Sequence, residues 1–164
     1  MKQKFIDAYM DVAHRFAELS SAKRLKVGAI IVKDDRIISI GYNGMPSGWD
    51  NNCEHVGQTL DPSESFHSVD FTPTAKVFYK LVTKDEVIHA EANAIAKLAK
   101  STESGKDAIM FLTHAPCIHC AKQIYTAGIK KVYFKDHYRN VAGIDFLKKC
   151  NIDIEQYSQK NSME

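Results

Sequence analysis

The chain is predicted to fold as a three-layer α/β/α sandwich, with a mixed sheet of about five strands between its helices. Two features of the sequence predict it. Val27-Gly28-Ala29-Ile30-Ile31-Val32 is an almost unbroken apolar run, β-branched at four of six positions, which suits a strand buried on both faces. From Ala108 onward, short apolar runs of strand length alternate with segments of helical period, and strand–helix–strand connections favour parallel neighbours.

Residues 2–20 carry Phe5, Tyr9, Val12 or Ala13, Phe16, and Leu19 or Ser20 at helical spacing, with Asp7, Asp11, Arg15 and Glu18 on other faces. His14 in this helix reads as a partly buried or surface histidine. After the buried run, Asp34-Asp35-Arg36 is a turn, and Ile37 to Ile40 is the antiparallel partner in a hairpin. Gly41 to Gly48 holds three glycines and a proline and makes a tight, irregular loop. Residues 49–74 lack a period and include Pro62 and Pro73, so an irregular insertion over 49–87 is expected. Within it, Val77, Phe78, Leu81 and Val82 suggest a short helix. Ile88, Ala92, Ile95, Ala96, Leu98 and Ala99 give a helical face from 88 to 100, and Gly105 breaks the polar stretch behind it. Ala108 to Thr113 is a strand. Pro116 suits the first position of a helix running to Ala127, with Gly128 as its C′ residue. Lys131 to Phe134 is a strand, 142–149 a helix, and Ile152 to Ile154 a last strand at a more exposed edge. One domain therefore spans 1–155, and the polar residues 156–164 are expected to fray.

The 164 residues, 45% hydrophobic and 26% charged, have the makeup of a globular domain with one core. No apolar run approaches the ~18 residues of a membrane span. Met1-Lys2-Gln3-Lys4 leads into an amphipathic stretch and not an apolar block, so neither signal peptide nor membrane partner is expected and a cytoplasmic location follows. A net charge of +2 gives no basic face for nucleic acid. Among the four cysteines, Cys117 and Cys120 form a close pair, which in a reducing compartment points to metal or redox chemistry. Cys150 reads as a small buried hydrophobe. Cys53, His55 and His67 do not complete a second ligand set.

Two stretches carry the chemistry: His89-Ala90-Glu91 at one helix start, and Pro116-Cys117-Ile118-His119-Cys120 at another. Cys117 and Cys120, three apart, share a helix face beside the positive end of the macrodipole, which favours their thiolates. With His89 they supply three ligands and leave a fourth position open, the pattern of a catalytic zinc site. Zinc acidifies a bound water, and Glu91, two residues beyond His89, can carry its proton to a ring nitrogen and then to a departing amine. His-x-Glu followed by Pro-Cys-x-x-Cys is the signature of the zinc nucleobase deaminases. Two competing readings are a structural zinc completed by His114, His119 or His137, and a redox Cys-x-x-Cys. The second leaves His89 and Glu91 without a role. Lys23, Arg24 and Lys26 could neutralise one phosphate or line a solvated loop. Asn43 could bond a sugar hydroxyl or sit in a left-handed turn.

Lys23-Arg24-Leu25-Lys26-Val27-Gly28-Ala29, Gly41-Tyr42-Asn43-Gly44-Met45-Pro46-Ser47-Gly48, His89 to Ile95, Pro116 to Lys122 and Ala127 to Val132 resemble the deoxycytidylate (dCMP) deaminase family, within the cytidine-deaminase-like zinc-dependent superfamily. The resemblance implies hydrolysis of dCMP to dUMP and ammonia, with attack of an activated water on C4 of the ring, supplying dUMP for thymidylate synthesis. It assigns the catalytic proton transfers to Glu91 and the Zn²⁺ to His89, Cys117 and Cys120. It also assigns the 5′-phosphate to Arg24 and Lys26, the sugar to Asn43, the pyrimidine edge to the Ala90 backbone, and the far side of the pocket to Tyr138. Family members are often hexamers, activated by dCTP with Mg²⁺ and inhibited by dTTP. The effector is expected near Asn43, Gly44 and Gly48. Some relatives hold a second, structural zinc through a cysteine before the basic stretch; here Ala22 stands there, and no second zinc is expected. Two alternatives are a deaminase of another cytosine or adenine substrate (CMP, cytidine or a tRNA adenosine) and a zinc-stabilised binding module without catalysis, which would have four protein ligands and no role for Glu91.

Overall fold

The computed structural model describes residues 1–59, 69–72 and 75–159. Helix α1 (Gln3–Ala17) buries Ile6, Met10, Ala13 and Ala17 along one stripe. That stripe is turned one residue from the expected one, leaving Phe5 and Leu19 exposed while Tyr9, Val12 and Phe16 flank the contact. Close approach explains the choice. A Cβ on Gly28 would stand 2.0 Å from the Ala13 carbonyl oxygen, so small residues and a glycine let α1 lie against the sheet.

Strand β1 (Gly28–Lys33) is buried almost throughout. Ile30 and Val32 join the cluster under α1, while Ala29 and Ile31 join the cluster on the opposite face. A two-residue turn at Asp34 and Asp35, both with positive φ, leads into β2 (Arg36–Tyr42) and pairs Lys33 with Arg36, the expected tight hairpin. The five-stranded sheet has the order β2-β1-β6-β7-β8, with β6 spanning Ile109–His114, β7 Lys131–Asp136 and β8 Asp153–Gln156. Strand β6 is antiparallel to β1, and β6, β7 and β8 run parallel. Helices α2 (Ala90–Leu98), α3 (Ile118–Thr126) and α4 (Ala142–Lys149) cover the face opposite α1. These are the three predicted layers.

Residues 49–87 depart from expectation. They contain β3 (Glu54–Thr59), β4 (Val69–Thr72) and β5 (Ala75–Thr83), which form a second, antiparallel sheet in the order β3-β5-β4. The predicted irregular insertion and its short helix are both corrected. The spacing of Val77, Phe78, Leu81 and Val82 fits a helical period, yet the run is rich in β-branched and aromatic residues. Pairing of Glu54–Thr59 with Phe78–Thr83 decides for a strand. Strand β3, Glu-His-Val-Gly-Gln-Thr, is too polar to announce itself. His67, Pro62 and Pro73 lie outside the described residues.

Two further details shift. Pro116 precedes α3 instead of opening it, with Cys117 as N-cap; Gly128 has φ +78, as a C′ glycine should. Tyr157, in the stretch expected to fray, is buried in the α1 cluster, and its N–H donates to the Phe134 carbonyl. Residues 160–164 lie outside the described part. Among the described residues, no helix is long and apolar enough to cross a membrane.

Candidate active site

The site forms where the N-termini of α2 and α3 meet. Helix α2 is fixed on β2 by contacts that demand specific residues. The Asn93 side-chain amide donates to the Tyr42 carbonyl at 2.9 Å, Ser39 Oγ donates to the Ala94 carbonyl at 2.6 Å, and a Cβ on Gly41 would lie 2.2 Å from the Ala90 carbonyl. His89 is the N-cap of α2, with Ala90 and Glu91 buried in its first turn. Helix α3 is held from behind by α4, whose Gly143 rests on the Pro116 carbonyl.

His89, Cys117 and Cys120 form the one group of potential metal ligands found among the described residues, with ligand atoms all within 4.8 Å of one another. His89 Nδ1 lies 3.7 Å from Cys117 Sγ and 3.4 Å from Cys120 Sγ. A tetrahedral zinc with ordinary Zn–S and Zn–N bonds has S···N edges of about 3.6 Å, so these three residues fit the ion. His119 is exposed, on the outer side of the turn, and neither His114 nor His137 belongs to the group.

Proton sharing within the cluster fits the same use. Hydrogen bonds from Cys120 and from His89 hold the Cys117 thiol down to about 3. The hydrogen bond to Cys117 in turn raises His89. Cys120 is pushed up by its bond with Cys117 and by burial, so the two thiols share a proton. A divalent cation would displace the shared protons. Burial pushes Glu91 well above the usual carboxylate range, against a smaller opposing effect from His89. Glu91 is thus positioned beside the ligands, also bonded to Cys120, without belonging to the ligand group.

His89, Cys117 and Glu91 line a cleft of about 350 Å³, within the size range of small-molecule sites, while Cys120 is buried outside its lining. Arg24, Asn43, Ala90 and Tyr138 from the sequence reading also line it. Lys26 does not: its ammonium donates to the Glu18 carbonyl at 3.3 Å, at the C-terminal end of α1. Gly44 pairs with Ile88 in an isolated bridge, Gly48 is exposed with φ +88, and neither lines the cleft. Asn43 is buried with both ends of its amide engaged. Its Oδ1 accepts the Val27 N–H at 2.8 Å and its Nδ2 donates to the Leu25 carbonyl at 2.8 Å. The structure adds lining residues that the sequence did not single out, notably Glu54, Thr83 and Arg139. Arg24 donates to Thr83 Oγ1 at 3.0 Å, and the Arg139 guanidinium lies 5.7 Å from the Tyr138 ring centroid. Arg24, Thr83, His89, Tyr138 and Arg139 also border an adjoining cleft that opens along β5. Arg139 is adjacent to Tyr138 in sequence, and that neighbour was the available signal; Glu54 and Thr83 arrive through the unread β3–β5 pairing.

Comparison with known proteins agrees with this geometry. The sequence profile of the cytidine and deoxycytidylate deaminase zinc-binding region matches residues 3–136. The deoxycytidylate deaminase of Enterobacteria phage T4 is 35% identical, over 93% of this chain and 89% of its own. The human deoxycytidylate deaminase is 33% identical, over 94% of this chain and 86% of its own. A crystal structure of dCMP deaminase from the cyanophage S-TIM5, in complex with dCMP and dUMP, superposes with a TM-score of 0.77 at 38% identity, covering 96% of this chain and 99% of the other. The chain therefore belongs to the cytidine and deoxycytidylate deaminase family of zinc-binding proteins.

Proposed function

We propose that the chain deaminates dCMP hydrolytically to dUMP and ammonia. One observation carries the reading: a His/Cys/Cys cluster with zinc-compatible spacing opens through His89 and Cys117 onto a cleft that it shares with the buried Glu91, Arg24 and Arg139. His89, Cys117 and Cys120 would hold zinc, which when bound would acidify a water and so provide a nucleophile at neutral pH. Glu91 takes one proton from the water and delivers it to N3 of the ring as oxygen bonds to C4; it then takes the remaining proton of that hydroxyl and passes it to the exocyclic amine, which leaves as ammonia while the carbonyl forms. Its raised affinity for protons suits a group that must hold one between these transfers. The Ala90 backbone, at the helix N-terminus, faces the pyrimidine edge, and Tyr138 closes the cleft. Arg24 and Arg139 take the 5′-phosphate, because guanidinium forks match phosphate oxygens. Lys26, engaged by Glu18, has no part in this reading.

The same reading extends to the domain as one deaminase unit over 1–155, acting in the cytoplasm as a homo-oligomer, a hexamer by resemblance, that supplies dUMP. Activation by dCTP with Mg²⁺ and inhibition by dTTP are supported by family resemblance alone. The open surroundings of Gly44 and Gly48 leave room for an effector there.

The test is ammonia release from dCMP, CMP, deoxycytidine and cytosine, with and without dCTP or dTTP, on zinc-loaded wild type and Glu91→Ala. Turnover should be fastest on dCMP and fall by about 10²- to 10⁴-fold in Glu91→Ala. Full activity in that variant would refute the mechanism, and preference for CMP or the free base would refute the substrate.

A further inference from the structure

The cleft wall contains a carboxylate that the proton transfers leave unused. Glu54 opens β3 and is 3% exposed, yet it lines the cleft. Its Oε1 accepts two backbone N–H groups, from Lys23 at 3.0 Å and from Arg24 at 3.1 Å. Its Oε2 is buried and has no hydrogen-bond partner. Leaving such an oxygen unpaired is costly, and a carboxylate oxygen accepts only, so what completes it is a donor.

Asn43, which resemblance assigns to the sugar, uses one hydrogen bond from each end of its amide on the Leu25–Val27 backbone and keeps one further N–H, a donor that can meet the oxygen of a hydroxyl but cannot accept its proton. On dCMP the donors are few. The exocyclic amine belongs with Glu91 and the metal ligands, where it departs. The phosphate offers acceptors to arginine. The 3′-hydroxyl of the sugar is the remaining donor, and it lies between base and phosphate, as Glu54 adjoins both the cleft and the Arg24 backbone.

We propose that Glu54 reads the sugar, its Oε2 accepting the 3′-hydroxyl of the deoxyribose while its Oε1 holds the Lys23–Arg24 backbone for the phosphate, an assignment that rests on the dCMP reading. Asn43, which also lines the cleft, ties the Leu25–Val27 backbone beside it.

The experiment compares kcat/KM for dCMP and for 2′,3′-dideoxycytidine 5′-monophosphate in zinc-loaded wild type, Glu54→Gln and Glu54→Ala. Wild type should prefer dCMP by about 10- to 100-fold, the worth of a hydrogen bond to a charged acceptor. Glu54→Ala should lose most of that preference. Glu54→Gln, whose amide oxygen can still accept the two backbone N–H groups, should fall between. If both nucleotides lose the same factor and the preference survives in both variants, Glu54 only anchors the backbone and the assignment is overturned. A wild type that treats both nucleotides alike overturns it too. Should Glu54→Ala fail to fold, Glu54→Gln decides alone. If wild type releases no ammonia from dCMP, the dCMP reading falls. The sugar assignment is then decided by calorimetric binding of dUMP against its 2′,3′-dideoxy analogue: discrimination that disappears with Glu54 supports it, and equal binding by wild type overturns it.

Discussion

Gly143→Ala tests whether the site is held from behind. Gly143 lies in the first turn of α4, buried against the peptide that precedes α3. An added Cβ would stand 2.0 Å from the Pro116 carbonyl oxygen and 2.9 Å from the Cys117 carbonyl carbon. Ordinary contact begins at 3.4 Å, so α4 and the Pro116–Cys117 peptide must part by about 1.4 Å, which a close-packed interior resists. The φ of Gly143 is not positive, so the glycine is there for space and not for conformation. Alanine regains about 0.5–1 kcal/mol of helix propensity, while overpacking costs about 1–3 kcal/mol. The net expectation is a loss of about 1–2 kcal/mol, or a few degrees in Tm for a chain of this size. The larger effect falls on zinc. The strained peptide carries Cys117, whose Sγ is 3.7 Å from His89 Nδ1, and metal sites tolerate ligand displacements of only about 0.2 Å. Zinc affinity, measured by competition with a chromophoric chelator, should drop about 10- to 100-fold, the range seen when groups supporting a metal ligand are lost. Gly44→Ala is the control, since its Cβ would meet nothing within 4 Å. Wild-type zinc affinity in Gly143→Ala would refute the view that α4 sets the position of Cys117.

Four other outcomes are expected. Arg24→Ala and Arg139→Ala should each raise KM for dCMP about tenfold or more while leaving deoxycytidine little changed, because a charge-assisted hydrogen bond to phosphate is worth about 1.5–3 kcal/mol; equal losses on both substrates would remove them from the phosphate. Stripping zinc should lower Tm, since an ion present at 1,000 times its Kd stabilises by about 4 kcal/mol, and an unchanged melt on adding zinc back to apoprotein would argue against binding. Burial lowers the pKa of His14, whose Nε2 is buried and unpaired. The unfolded chain then binds the proton more readily, so this contribution to stability is complete above about pH 6.5 and is lost as pH falls below it. The slope of Tm against pH between 7.5 and 5.5 should flatten in His14→Leu, and an unchanged slope would exclude His14 as a source. Finally, Gly28→Ala should destabilise strongly by driving α1 off the sheet, because its Cβ would meet the Ala13 carbonyl at 2.0 Å; a wild-type melt would show that α1 can yield.

What could be read from sequence and what could not divide along a physical line. The metal cluster was legible because each half is local. Three-residue spacing brings Cys117 and Cys120 into one turn, and two-residue spacing puts Glu91 beside His89 without making it a ligand. The five-stranded sheet was legible because Val27 to Val32 is apolar on both faces and the Asp34–Asp35 turn links its hairpin. The walls of the cleft follow another rule. Arg24 meets Thr83 across 59 positions, and the Lys23 and Arg24 backbones meet Glu54 across 31 and 30. Such contacts exist only once β3 has paired with β5, and neither strand declares itself: β3 is polar, and β5 carries a helical spacing of apolar residues.

That division also separates the reaction from its substrate. The groups that move protons and could hold the metal sit on two helix starts, fixed by residues within three positions of one another. The groups that would read sugar and phosphate sit on segments brought together by tertiary pairing, chiefly Ser20–Val27, the start of β3 and the loop carrying Tyr138 and Arg139. Asn43 joins the two sets. It ties Leu25 and Val27 to the end of β2, and β2 in turn seats α2 through Asn93 and Ser39. A substitution at Asn43 should therefore disturb both substrate affinity and the seating of His89, whereas one at Glu54 should disturb affinity alone. Parallel measurements of zinc affinity and of KM on Asn43→Ala and Glu54→Gln separate these roles, and an Asn43→Ala variant that kept wild-type zinc affinity while losing discrimination for the 3′-hydroxyl would return the sugar to Asn43.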